Sequence, residues 1–394
     1  MSCLTVLFLV GMRGLVYRVR LQFGNVAGSL LDDRPTQVIF YAVYALVIAT
    51  AVRPWSQLRN RKLLPLVGVV LVLLVSTVWS IEWGRTLNQT LLMILGTIAT
   101  TLLALRLRPL DVVMAIVVAT QIALWWSVFA AWRDWDFSTD RRGYLAGIFY
   151  NRNSLGLVAA CGFVTAIALA WLMRWSPIRL VASGVAASVA AVVWWRTDSA
   201  TPLVAAVAAL AAGGWVLWDN WALVSHRTTA RIVCAVALSA AVVGVTFQGR
   251  IAHWFGRDTT FTGRTSTWRL VIDTWERRPV QGFGFFAGWF DERLRRGLAG
   301  IDFNHWEAHN GYLEVLLGAG LIGAGMLTWF LVELVRGVWG HRRSEFGPWF
   351  AGMLAFVLFM NAGETAIGAN RLVWTMAVAL FVATRSPRAE RVAD

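Results

Sequence analysis

The sequence predicts an all-α polytopic membrane protein of about 11 or 12 transmembrane helices, with one long outward-facing loop carrying short helices. Three observations predict it. First, 58% of the 394 residues are hydrophobic and only 15% are charged, with a mean hydropathy of +0.59, more apolar sequence than a water-soluble core absorbs. Second, uncharged runs such as Pro65–Trp79, Val112–Trp126, Leu180–Trp195 and Met353–Met360, extended by flanking apolar residues, approach the ~20 residues that cross hydrocarbon. Third, the basic residues fall in short connections between these runs.

Taken in order, the spans are expected at 37–52, 65–80, 86–106, 111–132, 153–173, 179–195, 201–218, 230–247, 310–335, 346–362 and 370–384. A twelfth, at 1–17, is short and carries Arg13, with Arg18 and Arg20 just beyond. An interfacial helix, a poor first span and a misplaced start all fit it, and it lacks the basic n-region and cleavage site of a signal peptide. No repeat of fixed period, low-complexity tract or soluble domain interrupts the pattern, so residues 1–394 read as a single membrane domain.

Orientation follows from alternation. Every second connection is basic: Arg53–Lys62, Arg106–Arg108, Arg174–Arg179, Arg227–Arg231, Arg336–Arg343 and the tail with Arg385, Arg388 and Arg391. Those sides are expected in the cytoplasm of a bacterial inner membrane. The connections 133–151, 196–202, 361–369 and 248–308 then face outward. The last is the only one large enough to fold over a site, and within it Thr267–Arg278 is expected as an amphipathic helix ending before Pro279. Gly282, Gly284 and Gly288 follow, so two short helices joined by a glycine turn are expected there.

The formal net charge of +14 would suggest nucleic acid if it formed one patch on a soluble domain, but it is spread over the connections, so no nucleic-acid partner is expected. Cys3, Cys161 and Cys234 sit singly in apolar stretches with no metal or redox spacing. Lys62 is the only lysine. Genome composition explains that bias, and so does the better match of guanidinium to phosphate.

Three segments carry the candidate chemistry: Phe261-Thr262-Gly263-Arg264-Thr265-Ser266-Thr267-Trp268, Arg278-Pro279-Val280-Gln281-Gly282-Phe283-Gly284, and His309-Asn310-Gly311-Tyr312-Leu313. Their order is Gly-Arg-x-x-x-Trp, then Pro-x-x-Gly-aromatic-Gly, then His-Asn followed after nine residues by Gly320 and then Gly323. It resembles the outer loop and following helix of the O-antigen ligase/polymerase (Wzy-type) family, especially its exopolysaccharide-production, ExoQ-like branch. Gly147-Ile148-Phe149-Tyr150-Asn151-Arg152-Asn153 is similar to the family's Gly-x-aromatic-x-x-basic-Asn segment. One departure stands out. Many relatives carry Ser followed by a basic residue at the outer end of a middle span, whereas this chain reads Arg196-Thr197-Asp198-Ser199-Ala200, so Arg196 would substitute from one helical turn upstream.

The resemblance implies transfer of an undecaprenyl-diphosphate-linked glycan to an acceptor sugar in cell-surface polysaccharide assembly. Its partners would be the lipid-linked donor, the glycan acceptor, the membrane and other polysaccharide-assembly proteins. The chemistry of the residues agrees. Such transfer needs cations on the diphosphate and on the charge that grows there as the sugar leaves. Arg152, Arg196, Arg264 and Arg371 lie in the outer loop or at outer span ends, where an unpaired cation suggests a partner or a water-filled cavity. The acceptor is a hydroxyl, so a base helps, and His309 opens a span at that level. Arg264 and His309 are therefore the expected catalytic residues, with Arg152, Arg196, Asn310, Trp268 and Arg371 binding substrate, and with no cofactor or metal. One direct displacement would invert the anomeric carbon.

Plainer roles exist for each. Arginines at span ends anchor helices by snorkelling, His309 and Asn310 sit where a helix cap belongs, and Gly318, Gly320, Gly323 and Gly325 suit close helix packing. Trp254, Trp268, Trp289 and Trp306 could stack on sugars or belong to an aromatic belt. His305-x-Glu307-x-His309 invites a zinc reading without the usual order or a third ligand. Asp291 and Glu292 read as solvated, Glu307 and Glu364 as isolated, so no hydrolase carboxylate pair is expected. Nor is there an Asp-x-Asp pair to mark a nucleotide-sugar donor. The alternative of a different class is a transporter or flippase of the same lipid-linked sugars, which would be expected to show inverted repeats and broken helices.

Overall fold

The computed structural model describes residues 2–12, 34–51, 60–135, 138–140, 143–149, 151–221, 262–299, 307–368 and 371–385. Thirteen α-helices run through them: α1 (Ser2–Gly11), α2 (Arg34–Thr50), α3 (Leu64–Val75), α4 (Trp83–Ala104), α5 (Pro109–Trp132), α6 (Arg152–Leu172), α7 (Pro177–Thr197), α8 (Ala200–Trp221), α9 (Thr262–Trp275), α10 (Glu292–Ala299), α11 (Gly311–Gly340), α12 (Gly347–Gly363) and α13 (Leu372–Ala383). Short 3-10 turns flank α3, at Arg61–Leu63 and Ser76–Trp79. The only extended pairing among the described residues is a single bridge between Thr139 and Leu145.

Seven of the described helical segments are long and apolar enough to cross a membrane: Arg61–Trp79, Trp83–Ala104, Pro109–Trp132, Arg152–Leu172, Pro177–Thr197, Ala200–Asn220 and Gly311–Gly340. The protein is an all-α polytopic membrane protein. α1, α2, α12 and α13 are apolar but shorter, and the expected span at 230–247 lies outside the described residues. Proline in the first turn starts α3, α5, α7 and α12, a position where its missing N–H costs nothing.

Burial sorts the bundle. α13 buries all but one of its residues, from Leu372 to Ala383, so a helix apolar except for Thr375 is enclosed by its neighbours, chiefly α4, α12 and α1. α7 leaves most of its surface uncovered and packs chiefly on α6. α8 and α12 pack extensively on one another, with Ala208 and Ala212 against Ala355. A Cβ on Gly213 would lie 2.8 Å from the Pro348 carbonyl oxygen, and one on Gly352 2.9 Å from that of Ala209, the close crossing that small residues allow in membranes.

The long connection between α8 and α11 differs in detail, where it is described, from its expected form. α9 begins five residues before Thr267 and ends at Trp275, after which single turns close at Glu276, Arg277 and Arg278, since the residue before Pro279 disfavours helix. α9, α10 and the turn Gly288–Phe290 share a small core of Val271, Phe283, Trp289, Leu294, Ala308 and Leu317. Trp289 is therefore buried rather than presented to a sugar. Asp291 is not simply solvated either. It pairs with Arg277 and accepts the Arg293 and Leu294 amides that open α10. Glu292 is exposed, beside Arg296.

The glycine turn runs into the bundle. α11 breaks its helical backbone at Gly320 (φ 60°, ψ −156°), and the loop fills the gap. The Phe283 and Gly284 amides donate to Leu317 and Gly318, while the Leu321 and Ile322 amides donate to Pro279 and Val280. Irregular backbone at membrane depth is tolerated where protein satisfies it. Gly318 and Gly320 therefore make room for the loop's backbone. A Cβ on Gly320 would fall 2.3 Å from the Val280 oxygen, in a left-handed conformation that alone costs about 1–3 kcal/mol for other residues. Gly320→Ala should lower the thermal unfolding temperature in detergent by many degrees. Gly325→Ala, where a Cβ meets nothing within 4 Å, should leave it unchanged or raise it.

Candidate active site

Four chain segments distant in sequence meet at one carboxylate. Glu364 caps the C-terminus of α12 in extended conformation. Its Oε1 accepts from Arg264 Nη2 at 2.8 Å, its Oε2 lies 2.8 Å from His309 Nδ1, and Asn153 Nδ2 reaches Oε1 at 3.4 Å. Arg264 belongs to the first turn of α9, where the helix dipole repels a cation. Its guanidinium turns instead to the favourable end of α12, donating also to the Gly363 carbonyl at 2.7 Å and to Thr201 Oγ1 at 3.4 Å. Burial disfavours the charge on Glu364, but Arg264 and then His309 outweigh it and hold the carboxyl at about 2.

His309 precedes α11 with a left-handed backbone (φ 47°) and is buried. Asn310 is the N-cap of α11, its side-chain oxygen accepting the Tyr312 and Leu313 amides, so that oxygen is engaged by the helix. Trp268 is half-buried and donates its indole N–H to the Ala308 carbonyl at 2.8 Å, which ties α9 to the residue before His309.

A second ion pair joins Arg371, the N-cap residue of α13, to Glu307, whose other oxygen is 3.9 Å from His309 Nδ1. Both carboxylates thought isolated from sequence are thus ion-paired. Arg371 Nε is buried with no hydrogen-bond partner among the described residues. It lines a cavity of about 80 Å³ together with Asn151, Asn153, Ser154, Glu307 and Glu364. His305, the other histidine of the zinc reading, lies outside the described residues.

Arg152 stands one residue from the cluster. It opens α6, pairs with Asp198 at 3.4 Å and Asp140 at 3.6 Å, and stacks on the Tyr144 ring at 4.4 Å. Its neighbour Asn153 accepts from Ser199 at 3.0 Å, which fastens this helix start to the α7–α8 connection. Arg196, one turn earlier, has an exposed side chain, and its backbone carbonyl accepts the Leu145 amide. Of the seven candidates, Arg264 and His309 converge directly, Arg371 adjoins them through Glu307, Trp268 and Asn310 support the backbone around His309, Arg152 lies beside the cluster, and Arg196 is exposed. Sequence reasoning missed Glu364, Asn153 and Thr201. A carboxylate directly after an apolar run, at the level of candidate arginines, is the signal that could have found Glu364.

Residues 185–328 match a family model described as O-Antigen ligase. Over that stretch the chain is similar to the O-antigen ligase family. That segment runs from α7 into α11 and includes Arg196, Arg264, Trp268, His309 and Asn310. Over 216 residues the chain is also 30% identical to the exopolysaccharide production protein ExoQ of Rhizobium meliloti (strain 1021). This match takes in 50% of this chain and 48% of that relative, so the chain spans about half the length of the curated relative it matches. Arg152, Glu364 and Arg371 lie outside the O-antigen ligase segment, yet Glu364 and Arg371 are bound to the end of it that carries His309.

Proposed function

We propose that this protein transfers a glycan from undecaprenyl diphosphate to an acceptor sugar, as a polysaccharide polymerase or ligase working at the outer face of the inner membrane. The observation that carries the reading is the Arg264–Glu364–His309 contact, which unites the Gly-Arg and His-Asn motifs on one carboxylate. In this reading Arg264, with Arg371 and Arg152 nearby, holds the diphosphate and neutralises the charge that builds on it. His309 donates its Nδ1 proton to Glu364, which fixes the tautomer and makes Nε2 the basic nitrogen. Nε2 takes the proton of the acceptor hydroxyl as that oxygen attacks the anomeric carbon. The bond from that carbon to the diphosphate oxygen breaks, undecaprenyl diphosphate leaves, and the configuration inverts.

No divalent metal enters this scheme. Arginines supply the charge a metal would bring, and Glu364, Glu307, Asp198 and Asp140 are each engaged by a guanidinium rather than grouped as hard oxygen ligands. The test uses purified protein, the lipid-linked glycan that accumulates in a deletion strain, and an acceptor glycan in excess EDTA. Product should form at the rate seen without chelator. Turnover that stops and is restored by added metal would overturn the metal-free scheme, and absence of transfer under every condition would overturn the transferase itself.

A further inference from the structure

Glu314 lies one turn inside α11 and is only 2% exposed. A carboxylate buried in a membrane-crossing helix is costly unless donors surround it. Its donors come from three other places. Oε1 accepts the Ala308 amide at 2.6 Å and Thr365 Oγ1 at 3.4 Å, and Oε2 accepts the Trp289 indole N–H at 3.0 Å. Ala308 immediately precedes His309, and Thr365 immediately follows Glu364.

We infer that Glu314 is a positioning residue that sets the His309–Glu364 contact while touching neither side chain. The inference rests on the reading that this pair is the reaction centre. A capping role does not account for Glu314, because Asn310 already accepts the Tyr312 and Leu313 amides and Glu314 reaches beyond the cap. Between Ala308 and Asn310 the chain passes through the left-handed His309 (φ 47°). A histidine keeps that conformation only where its surroundings over-determine it. The Ala308 amide on Glu314 fixes one side of His309, and the Asn310 cap fixes the other. Trp289 brings the core of the outer loop to the same carboxylate, so the loop, the His309 turn and the Glu364 turn share one anchor.

The experiment compares the wild-type protein with Glu314→Leu and Glu314→Gln, using the transfer assay above and diethyl pyrocarbonate modification of each histidine followed by mass spectrometry. In Glu314→Leu, kcat should fall about a hundredfold, the loss a misplacement of about 1 Å produces, with donor KM within about twofold of wild type. His309 should be modified severalfold faster, while His341, at the far end of α11, keeps its rate. An unchanged His309 rate, or His309 and His341 accelerating together, overturns the proposal. If Glu314→Leu does not accumulate, Glu314→Gln decides. Its amide oxygen still accepts from Ala308, but its NH2 then opposes the Trp289 N–H, so kcat should fall about tenfold with a faster His309, and wild-type values for both overturn the proposal. The modification rate does not depend on turnover, so it also separates this inference from the transferase reading, which fails instead if His309→Ala keeps its product.

Discussion

His309→Ala should abolish glycan product while the protein still accumulates in the membrane. A positioned base is worth roughly 10²–10⁴ in rate, and the side chain lost here is the one whose Nδ1 contacts Glu364. Glu364→Gln should also be severe, because it removes the carboxylate that orients the imidazole and deprives Arg264 of its counter-charge. The charge on Glu364 is secure at working pH. Its carboxyl is held at about 2 despite burial, chiefly by Arg264. A carboxyl depressed on folding contributes stability above its ordinary range, and that contribution fades as pH falls towards the folded value. Purified protein should therefore lose stability between about pH 4.5 and 2, and Glu364→Gln should flatten that part of the profile. His305→Ala, by contrast, should leave product formation nearly intact. Equal harm from His305→Ala and His309→Ala, with loss of turnover in chelator, would favour the zinc reading over the base.

The spans were legible because hydrocarbon imposes one length and one composition. The expected spans 111–132, 153–173, 179–195 and 201–218 correspond to Pro109–Trp132, Arg152–Leu172, Pro177–Thr197 and Ala200–Trp221, with proline and Asn151 marking several starts. Motif order singled out Arg264 and His309, but the carboxylate between them was illegible. Glu364 is 100 residues from Arg264 and 55 from His309, and although its place after an apolar run calls for a partner, nothing local says which. The same holds for Arg152, whose partners Asp198 and Asp140 come from two other connections. The second use of the glycines was hidden for a similar reason. Gly-x-x-Gly spacing resembles a helix-packing face, and only the pairing of Gly282–Gly284 with the break at Gly320 shows that the space serves a loop. Trp289 sits in a loop rich in exposed arginines, yet a long loop can carry its own core, and that core buries it.

Arg264→Lys should cost about 10²–10³ in turnover, the effect of losing one donor aimed at developing charge, with normal protein abundance. Lysine preserves the charge and loses the fork. The geometry makes the fork matter, since Nη2 serves Glu364 while Nη1 serves the Gly363 carbonyl; a single ammonium cannot hold both and also present a planar pair of N–H groups to a diphosphate. Alanine is the wrong test of the same idea. Both partners of the Arg264–Glu364 pair are largely buried, and removing one partner of such a pair leaves an uncompensated charge that destabilises by about 3–5 kcal/mol. Arg264→Ala should therefore lower abundance and activity together, whereas Arg264→Lys leaves Glu364 neutralised and the fold intact. The lysine variant also predicts which kinetic constant moves. An arginine that binds the diphosphate equally in ground and transition states would raise donor KM and spare kcat, while one that answers the growing charge lowers kcat. The expected result is the second. Wild-type product from Arg264→Lys beside an unfolded Arg264→Ala would instead make Arg264 a strut for Glu364 and remove it from the chemistry.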